Sequence, residues 1–284
     1  MKIGIVGLGL IGGSFAKAAK EYTQNEVLGF DKSDVVIKTA ILEDAIDGVL
    51  GKENLCECDV LLLALYPSAC VAYLEEHAEF IKKGATVIDL CGVKRAVCAP
   101  CFDIARRFGF RYVGGHPMAG TQTSGFRSSR PSMFKNASMI YVLNDQSDIS
   151  TMAYLKGLAL SFGFAKVVFC SAEEHDRIIA YTSQLAHVVS GAFIKSPSSV
   201  LHKGFSAGSF KDMTRVAALN EDLWCELFFD NADNLSLELE RIIDSLQEYK
   251  SVLDSGDRER MHALLREGRE CKERSDQSIS KAEK

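Results

Sequence analysis

The sequence predicts an α/β protein: a doubly wound, mostly parallel sheet followed by an all-α C-terminal half. Three observations carry that expectation. Short runs that are apolar throughout alternate with amphipathic stretches over residues 1–170, the pattern of strands covered on both faces by crossover helices. A glycine-rich turn joins the first such run to the first amphipathic stretch. From Ala172 onward strand-like runs cease and long helical periodicities take over.

Residues 2–7 (KIGIVG) read as the first strand and the alanine-rich segment Leu10–Lys20 as the first helix. Residues 26–31 (EVLGFD), Asp59–Leu65, Thr86–Leu90, Phe110–Gly114, Met139–Leu143 and Lys166–Cys170 are the further strands, short and apolar. Helices at Val35–Leu42, about Ala69–Ile81, beyond Lys94 and at Thr151–Phe162 alternate with them. Ser171 with Glu174 reads as an N-cap and its acidic N3 partner. The helix it opens is stopped by Lys195-Ser-Pro197. Ser209 with Asp212 reads as a second such pair, opening a helix through Arg215. Asp222 to about Leu253 reads as one long amphipathic helix and Asp257–Glu270 as another, and the polar residues 270–284 are expected to fray. The chain thus divides into a sheet domain, 1–170, and a helical domain, 171–284. The apolar faces of the second exceed what a bundle of that size buries alone, which implies dimerisation through its helices.

Composition narrows the function classes. Of 284 residues, 47% are hydrophobic and 25% charged, as in an ordinary soluble globular protein. Lys+Arg 33 against Asp+Glu 38 gives −5 with no basic stripe, so no nucleic-acid partner is expected. No apolar run reaches the ~18 residues of a membrane span, and the N-terminal glycines follow a different logic from a signal peptide. A cytoplasmic protein without a membrane partner is expected. The nine cysteines are odd in number and irregularly spaced, unlike a secreted disulfide framework. Cys98-Ala-Pro-Cys101 with Cys56 and Cys58 has the donors for a zinc site, and Cys98 with Cys101 the spacing of a redox pair, but small buried thiols on a helix are the favoured reading. No metal is expected, because His175 and His187 lack metal-pair spacing with any carboxylate.

Gly7-Leu8-Gly9-Leu10-Ile11-Gly12 is a G-x-G-x-x-G loop placed directly after a strand and opening a helix. The first glycine permits the tight turn, the second lets the backbone approach a pyrophosphate, and the third lets helix and strand pack closely. Free N–H groups at the helix N-terminus suit the phosphates. Asp31 ends the second strand. A carboxylate there accepts the ribose hydroxyls and repels a 2′-phosphate, so NAD is expected over NADP, with Lys32 working against that repulsion.

Gly114-Gly115-His116-Pro117-Met118-Ala119-Gly120 follows a strand. Active sites in such sheets lie beyond the carboxyl ends of the strands. His116 is therefore a candidate base: an imidazole with pKa near ~6.5 can take a hydroxyl proton as hydride leaves the same carbon.

The run G-G-H-P-M-A-G-T-x-x-S-G at 114–125, after a Rossmann half and before a helical half, resembles the prephenate dehydrogenase family, to which arogenate dehydrogenases also belong. Asp89-Leu-Cys-Gly-Val-Lys94 resembles its strand-end D-x-x-S/G-V-K loop. His175-Asp176 with Ser183-Gln-Leu-Ala-His187 resembles its H-D…S-x-L-x-H helix, and Gly208 through Arg215 its G-x-F-K-D-x-T-R motif. The resemblance covers essentially the whole chain. It implies NAD-dependent oxidation of the ring alcohol of prephenate with loss of the ring carboxylate as CO2, giving 4-hydroxyphenylpyruvate for tyrosine biosynthesis. The alternative is arogenate, giving tyrosine directly.

On that resemblance His116 is the catalytic base. Arg215 takes the ring carboxylate, for which its planar fork is suited. His187 contacts the substrate side chain and Ser183 lies near cofactor and substrate; four apart, they share one helix face. Thr121 lines the pocket, and Gly208 approaches it from the partner subunit of a homodimer. His175 and Asp176 read as helix-start structure. Many members carry serine at the position of Gly92, where its hydroxyl supports the catalytic histidine and the substrate alcohol; here a water or Ser124 is expected to hold the reacting hydroxyl instead. No C-terminal regulatory domain or fused mutase is expected, so any tyrosine inhibition acts at the substrate pocket. A 3-hydroxyacid-type dehydrogenase, which relies on a lysine of the helical domain, and an NAD(H)-binding redox sensor switched by Cys98 and Cys101 are the rival readings; neither accounts for a His116–Arg215 pair.

Overall fold

The computed structural model describes residues 1–144 and 148–282. β1 (Lys2–Val6) leads through the glycine loop into α1 (Leu10–Tyr22), followed by β2 (Glu26–Phe30), α2 (Asp34–Leu42) and β3 (Gly48–Val49). Then come β4 (Val60–Leu63), α3 (Pro67–His77), β5 (Thr86–Asp89), α4 (Arg95–Phe108) and β6 (Arg111–Pro117). β7 (Ser138–Val142), α5 (Ile149–Ser161) and β8 (Lys166–Cys170) complete the sheet region. The eight strands form one sheet in the order β3-β2-β1-β4-β5-β6-β7-β8. Every neighbouring pair is parallel except β6 with β7. The doubly wound, mostly parallel sheet expected from the sequence is present. Each face is covered by its own apolar cluster, one built around Phe15, Phe134 and Phe162, the other around Leu61, Leu74 and Val97.

Two differences from the sequence reading have physical causes. β3 has 2 residues, too short to show any periodicity. β6 runs to Pro117 rather than Gly114, because β7 arrives antiparallel and pairs Gly115 with Tyr141, His116 with Ile140 and Pro117 with Met139. The histidine therefore sits in a paired strand, not in a turn. Its glycines serve close packing: a Cβ on Gly114 would lie 2.5 Å from Cys98 Sγ, and one on Gly115 would lie 2.5 Å from the backbone oxygen of Asp89.

The helical part starts with α6 (Ala172–Ile179), whose N-cap Ser171 accepts from the Glu174 N–H at 3.1 Å as expected. A π-helical segment, Ala180–Leu185, joins it to α7 (Ala186–Ile194). α8 (Gly208–Thr214) starts earlier than expected: Ala207, in extended backbone, is its N-cap, and Ser209 lies in the first turn instead of capping it. The long helix expected from Asp222 is two, α9 (Glu221–Phe229) and α10 (Ala232–Ser255). The break is held by Asn231, which is 0% exposed. Its side-chain amide donates to Asp176 O and Gln184 Oε1, both at 2.8 Å, and accepts from Arg95 Nη2 at 2.9 Å. α11 (Arg258–Ala282) continues where fraying was expected; the i,i+4 ion pairs Arg269–Glu273 and Lys272–Asp276 support its last turns.

The chain forms two compact units, Met1–Ala232 and Asp233–Lys284. Within the second, Gly256 takes φ +71 at the turn between α10 and α11, and Arg260 pairs with Glu248 across it. Among the described residues no helix is long and apolar enough to cross a membrane.

A buried ion pair ties the centre of the sheet together. Asp89 ends β5 and Lys94 precedes α4, and both side chains are 0% exposed and paired to each other. Asp89 also accepts from Tyr112 Oη at 2.6 Å and from the N–H groups of Cys91 at 2.9 Å and Gly115 at 3.3 Å. Lys94 Nζ donates to Gly115 O at 2.7 Å. Burial disfavours the ammonium, but the facing Asp89 outweighs it and holds the Lys94 pKa above the usual lysine range. Lys94→Met leaves the Asp89 charge buried without its cation, so unfolding in urea should show a loss of about 3–5 kcal/mol. A loss below about 1 kcal/mol would mean the pair behaves like an exposed one.

Candidate active site

The glycine loop lies at the carboxyl end of β1, where the strand order turns between β1 and β4, the place where open α/β sheets take ligands. Gly7 has φ +88, and a Cβ there would lie 2.5 Å from Ala64 O. A Cβ on Gly12 would lie 1.9 Å from Gly7 O, so the turn admits only glycine at both positions. Gly9 faces open space. No side chain caps α1, which leaves the N–H groups of Leu10, Ile11 and Gly12 without intrahelical acceptors. These residues fit a pyrophosphate, with donors at a helix N-terminus and no side chain over the approach.

Leu8 departs from the expected role. Its side chain is 0% exposed in the core, and its N–H donates to Asp31 Oδ2 at 2.9 Å. It shapes the loop and offers a ligand neither group. Asp31 accepts a second bond from the Ser33 N–H through Oδ1 at 2.9 Å. Each oxygen keeps a lone pair, so the carboxylate both braces the loop and has capacity for ribose hydroxyls.

His116 stands at the carboxyl edge of the same sheet, half-buried at the end of β6. Its Nδ1 lies 2.8 Å from His175 Nε2, and His175 Nδ1 lies 2.7 Å from Asp176 Oδ1. Asp176 is 0% exposed. It accepts the N–H groups of Lys94 at 2.8 Å and Arg95 at 2.9 Å, and so caps α4 from another element. Burial alone would push the Asp176 carboxyl up; donation from His175 and the N–H of Arg95 outweighs it and holds the pKa below its ordinary value. Burial, then the nearby His175 and Lys94, holds His116 well below 6.5. Burial likewise lowers His175, against the upward pull of Asp176. All three groups are thus set at neutral pH. Asp176 is ionised and can only accept, so His175 donates from Nδ1 and accepts at Nε2. His116 donates from Nδ1, which leaves its Nε2 a free base position.

A second group gathers beyond the loop that follows His116. Gln122 Nε2 donates to Arg215 O at 2.7 Å, and His187 Nδ1 donates to the next carbonyl, Val216 O, at 2.9 Å. Trp224 lies over the His187 ring with centroids 3.9 Å apart. Arg215 is exposed at the end of α8, and among the described residues no carboxylate pairs with it. Burial lowers the His187 pKa, and the Arg215 charge adds to that. His116, His187 and Arg215 are therefore bridged through one loop.

Ser183 is half-buried inside the π-helical segment, one wide turn before His187, so the two remain on one side of the helix. Thr121 is exposed and bonds within its own loop, to Thr123 O at 2.9 Å. Gly208 opens α8 and faces open space within this chain. Where many members have serine, Gly92 offers His116 no hydroxyl, and His175 engages its Nδ1 instead; a Cβ at Gly92 would meet Leu227 at 3.4 Å. His175 and Asp176, read from sequence as helix-start structure, lie in α6 and also reach toward His116. Their adjacency in the chain was visible; their aim at His116 was not, because it depends on the packing of α6 against α4. Cys98 and Cys101 are free and buried on α4, and burial pushes the Cys98 thiol up to about 12. Among the described residues no three His, Cys, Asp or Glu groups come together as a metal site.

A dinucleotide-type loop and a neutral histidine at one sheet edge define a protein of the nucleotide-dependent dehydrogenase class. Family models sharpen this: the prephenate dehydrogenase nucleotide-binding domain matches residues 15–168 and the prephenate dehydrogenase dimerization domain matches residues 171–267. The chain belongs to the prephenate dehydrogenase family. A cyclohexadienyl dehydrogenase of Zymomonas mobilis is 31% identical over 266 residues, covering 90% of this chain and 89% of that protein. A prephenate dehydrogenase of Lactococcus lactis is 28% identical over 282 residues, covering 96% and 77%. The crystal structure of prephenate dehydrogenase from Aquifex aeolicus in complex with hydroxyphenyl propionate and NAD+ is 26% identical with TM-score 0.83, covering 98% of each chain. The arogenate dehydrogenase of Synechocystis shares the fold, at 24% identity and TM-score 0.80 over 97% of this chain and 100% of that one. The family match begins inside α1, so the glycine loop rests on its own geometry.

The lowered pKa values of His116, His175, His187 and Asp176 act on stability in one direction. In the unfolded chain each histidine protonates near ~6.5, while the folded rings resist. Stability should therefore be level above about pH 7 and fall as pH drops below about 6.5. A Tm followed from pH 8 to pH 5 that stays level or rises would contradict these assignments.

Proposed function

We propose that the protein oxidises prephenate with NAD, releasing the ring carboxylate as CO2 and forming 4-hydroxyphenylpyruvate on the route to tyrosine. The observation that carries this reading is the free Nε2 of a neutral His116 at the carboxyl edge of the sheet, with its other nitrogen already engaged by His175. The N–H groups of Leu10, Ile11 and Gly12 would hold the pyrophosphate of NAD, and Asp31 would accept from its ribose; the cofactor so held would supply the hydride acceptor for the alcohol carbon. His116 Nε2 takes the hydroxyl proton. Arg215 binds the ring carboxylate until that bond breaks, as a planar fork with no carboxylate partner of its own suits. Loss of CO2 closes the aromatic ring, which makes the step effectively irreversible, so the chain's own task is mainly to orient substrate and cofactor. Thr121 and Ser183 line the pocket.

The same reading includes two functional domains, 1–170 and 171–284, and a homodimer formed through the second, with Gly208 approaching the partner's site. Leu246 and Leu253 of α10 are 60% and 69% exposed, which supports such an interface. A cytoplasmic location belongs to this reading as well.

A second reading, arogenate as substrate, is favoured by one observation. His187 gives its Nδ1–H to Val216 O, so the neutral ring presents an acceptor at Nε2. An acceptor suits the ammonium of arogenate better than the keto oxygen of prephenate. His187 gains a proton only as pH falls, its pKa being lowered by burial and Arg215.

NADH formation should be seen with prephenate or arogenate. His116→Asn should cut kcat at least 100-fold, on the order of a lost general base, with KM little changed. Arg215→Gln should raise KM at least tenfold, on the order of one lost charged contact. NADH formation with neither substrate, or an unchanged kcat in the His116 variant, refutes the reading. The ratio of kcat/KM for arogenate over prephenate should rise between pH 5.5 and pH 8, since the His116 titration is common to both substrates and cancels; a level ratio removes His187 from side-chain recognition.

A further inference from the structure

We propose that His175 and Asp176 are positioning residues that set the tautomer of His116, so that Nε2 is the proton acceptor and Nδ1 keeps its proton. The inference rests on the reading of His116 as the base, and goes beyond it in saying what orients that base. The two hydrogen bonds run head to tail, His116 Nδ1 to His175 Nε2 at 2.8 Å and His175 Nδ1 to Asp176 Oδ1 at 2.7 Å. Only one arrangement of protons satisfies both while the rings are neutral. A carboxylate is acceptor-only, so the proton of His175 must sit on Nδ1. Its Nε2 is then an acceptor, so the proton of His116 must also sit on Nδ1.

The anchor of the chain is over-determined. Besides His175, Asp176 takes the N–H of Lys94, the N–H of Arg95 and Arg95 Nε, and its backbone oxygen takes the Asn231 amide. It sits at the N-terminus of α4, where the helix dipole favours a negative charge. Asp176 therefore has no freedom to rotate away or to turn donor, and His175, 2% exposed, has no solvent to bond instead. When His116 Nε2 takes the substrate proton, the ring becomes cationic in a buried place beside Lys94. The bond to His175 and the carboxylate behind it offset that cost without moving a second proton: His175 remains neutral, and Asp176 remains ionised.

Charged and titratable groups around the rings come from each neighbouring element: Lys94 and Asp89 from the segment between β5 and α4, Arg95 from α4, and Asp176 from α6. Of these only Asp176 bonds to a histidine of the chain.

The test is the protonation pattern of the rings in the protein without substrate. With 15N-labelled histidine, two-bond 1H–15N spectra distinguish an Nδ1–H ring from an Nε2–H ring, and His116→Asn assigns the signal. The expected result is an Nδ1–H tautomer for His116 at pH 7.5. In His175→Phe that preference should be lost and kcat should fall at least tenfold, with KM within about twofold, the pattern of a transition-state effect. His175→Gln, whose amide oxygen can accept from Nδ1–H, should restore the tautomer and part of kcat; it also serves where the phenylalanine variant does not fold. An Nε2–H tautomer in the native protein, or an unchanged His116 signal in both variants, overturns the inference. The spectrum needs no turnover, so an enzyme inactive on both substrates would sink the functional reading and leave this result standing.

Discussion

The carboxylate of Asp176, buried against the start of α4, is the constraint on which the site depends. It belongs to α6, yet it accepts the first N–H groups of a helix from the sheet region. That contact ties α6 to α4 beside the strand that His175 reaches. The helix it caps begins beside Lys94, whose ammonium reaches under β6 to Gly115 O. The carboxylate of Asp176 and the ammonium of Lys94 thus brace the strand that carries His116. Burial of a lone charge in such a place would be prohibitive; here each charge has a counter-ion or several donors.

That bracing explains why the histidine is framed by glycines. Gly114 and Gly115 leave no room for a Cβ against Cys98 and the Asp89 carbonyl. The strand must lie this close for Lys94 and Asp89 to bond its backbone. A pattern that looks in sequence like a flexible turn is a tightly packed strand, and the imidazole owes its fixed position to the absence of neighbouring side chains. The same economy holds at the other end of the sheet, where Asp31 uses one oxygen to brace the glycine loop through Leu8 and keeps capacity for a ligand.

Local pattern made the sheet region legible. Alternating short strands and helices, the glycine loop before α1, and the Ser171 cap all depend on neighbours within a few residues, and apart from the two-residue β3 and the longer β6 they stand close to where they were read. What failed depended on distant contacts. Nothing near Asn231 in sequence announces a helix break, because the break is held by Asp176, Gln184 and Arg95 from other elements. The π-helical segment at Ser183 is equally silent, since its residues would serve an α-helix as well. The capping pair at Ser209 was a false local signal, overruled by extended backbone at Ala207. His116 and Arg215 could be singled out as residues, but their bridge through Gln122 required the fold. His175 was visible at a helix start, a sufficient local role, and its bond to His116 shows only in three dimensions.

The distribution of cations decides how a dianionic substrate can be held on the proposed reading. Lys94 is 0% exposed and reaches the backbone of Gly115, next to His116, so its charge makes it a natural candidate for an anion binder. It is fully buried against Asp89, however, and its remaining reach goes to Gly115 O. Drawing it toward a substrate would strand a buried carboxylate, at a cost of several kcal/mol. On that reading Lys94 acts only through its field, adding to the burial and the nearby His175 that keep His116 neutral. Arg215 is in the opposite position: exposed, with no carboxylate partner among the described residues, and joined to the His116 loop by its backbone. On that reading an exposed guanidinium loses little hydration in closing on a ring carboxylate, and burial divides the two cations: the enclosed one stays with Asp89, and the exposed one meets the charge that leaves as CO2.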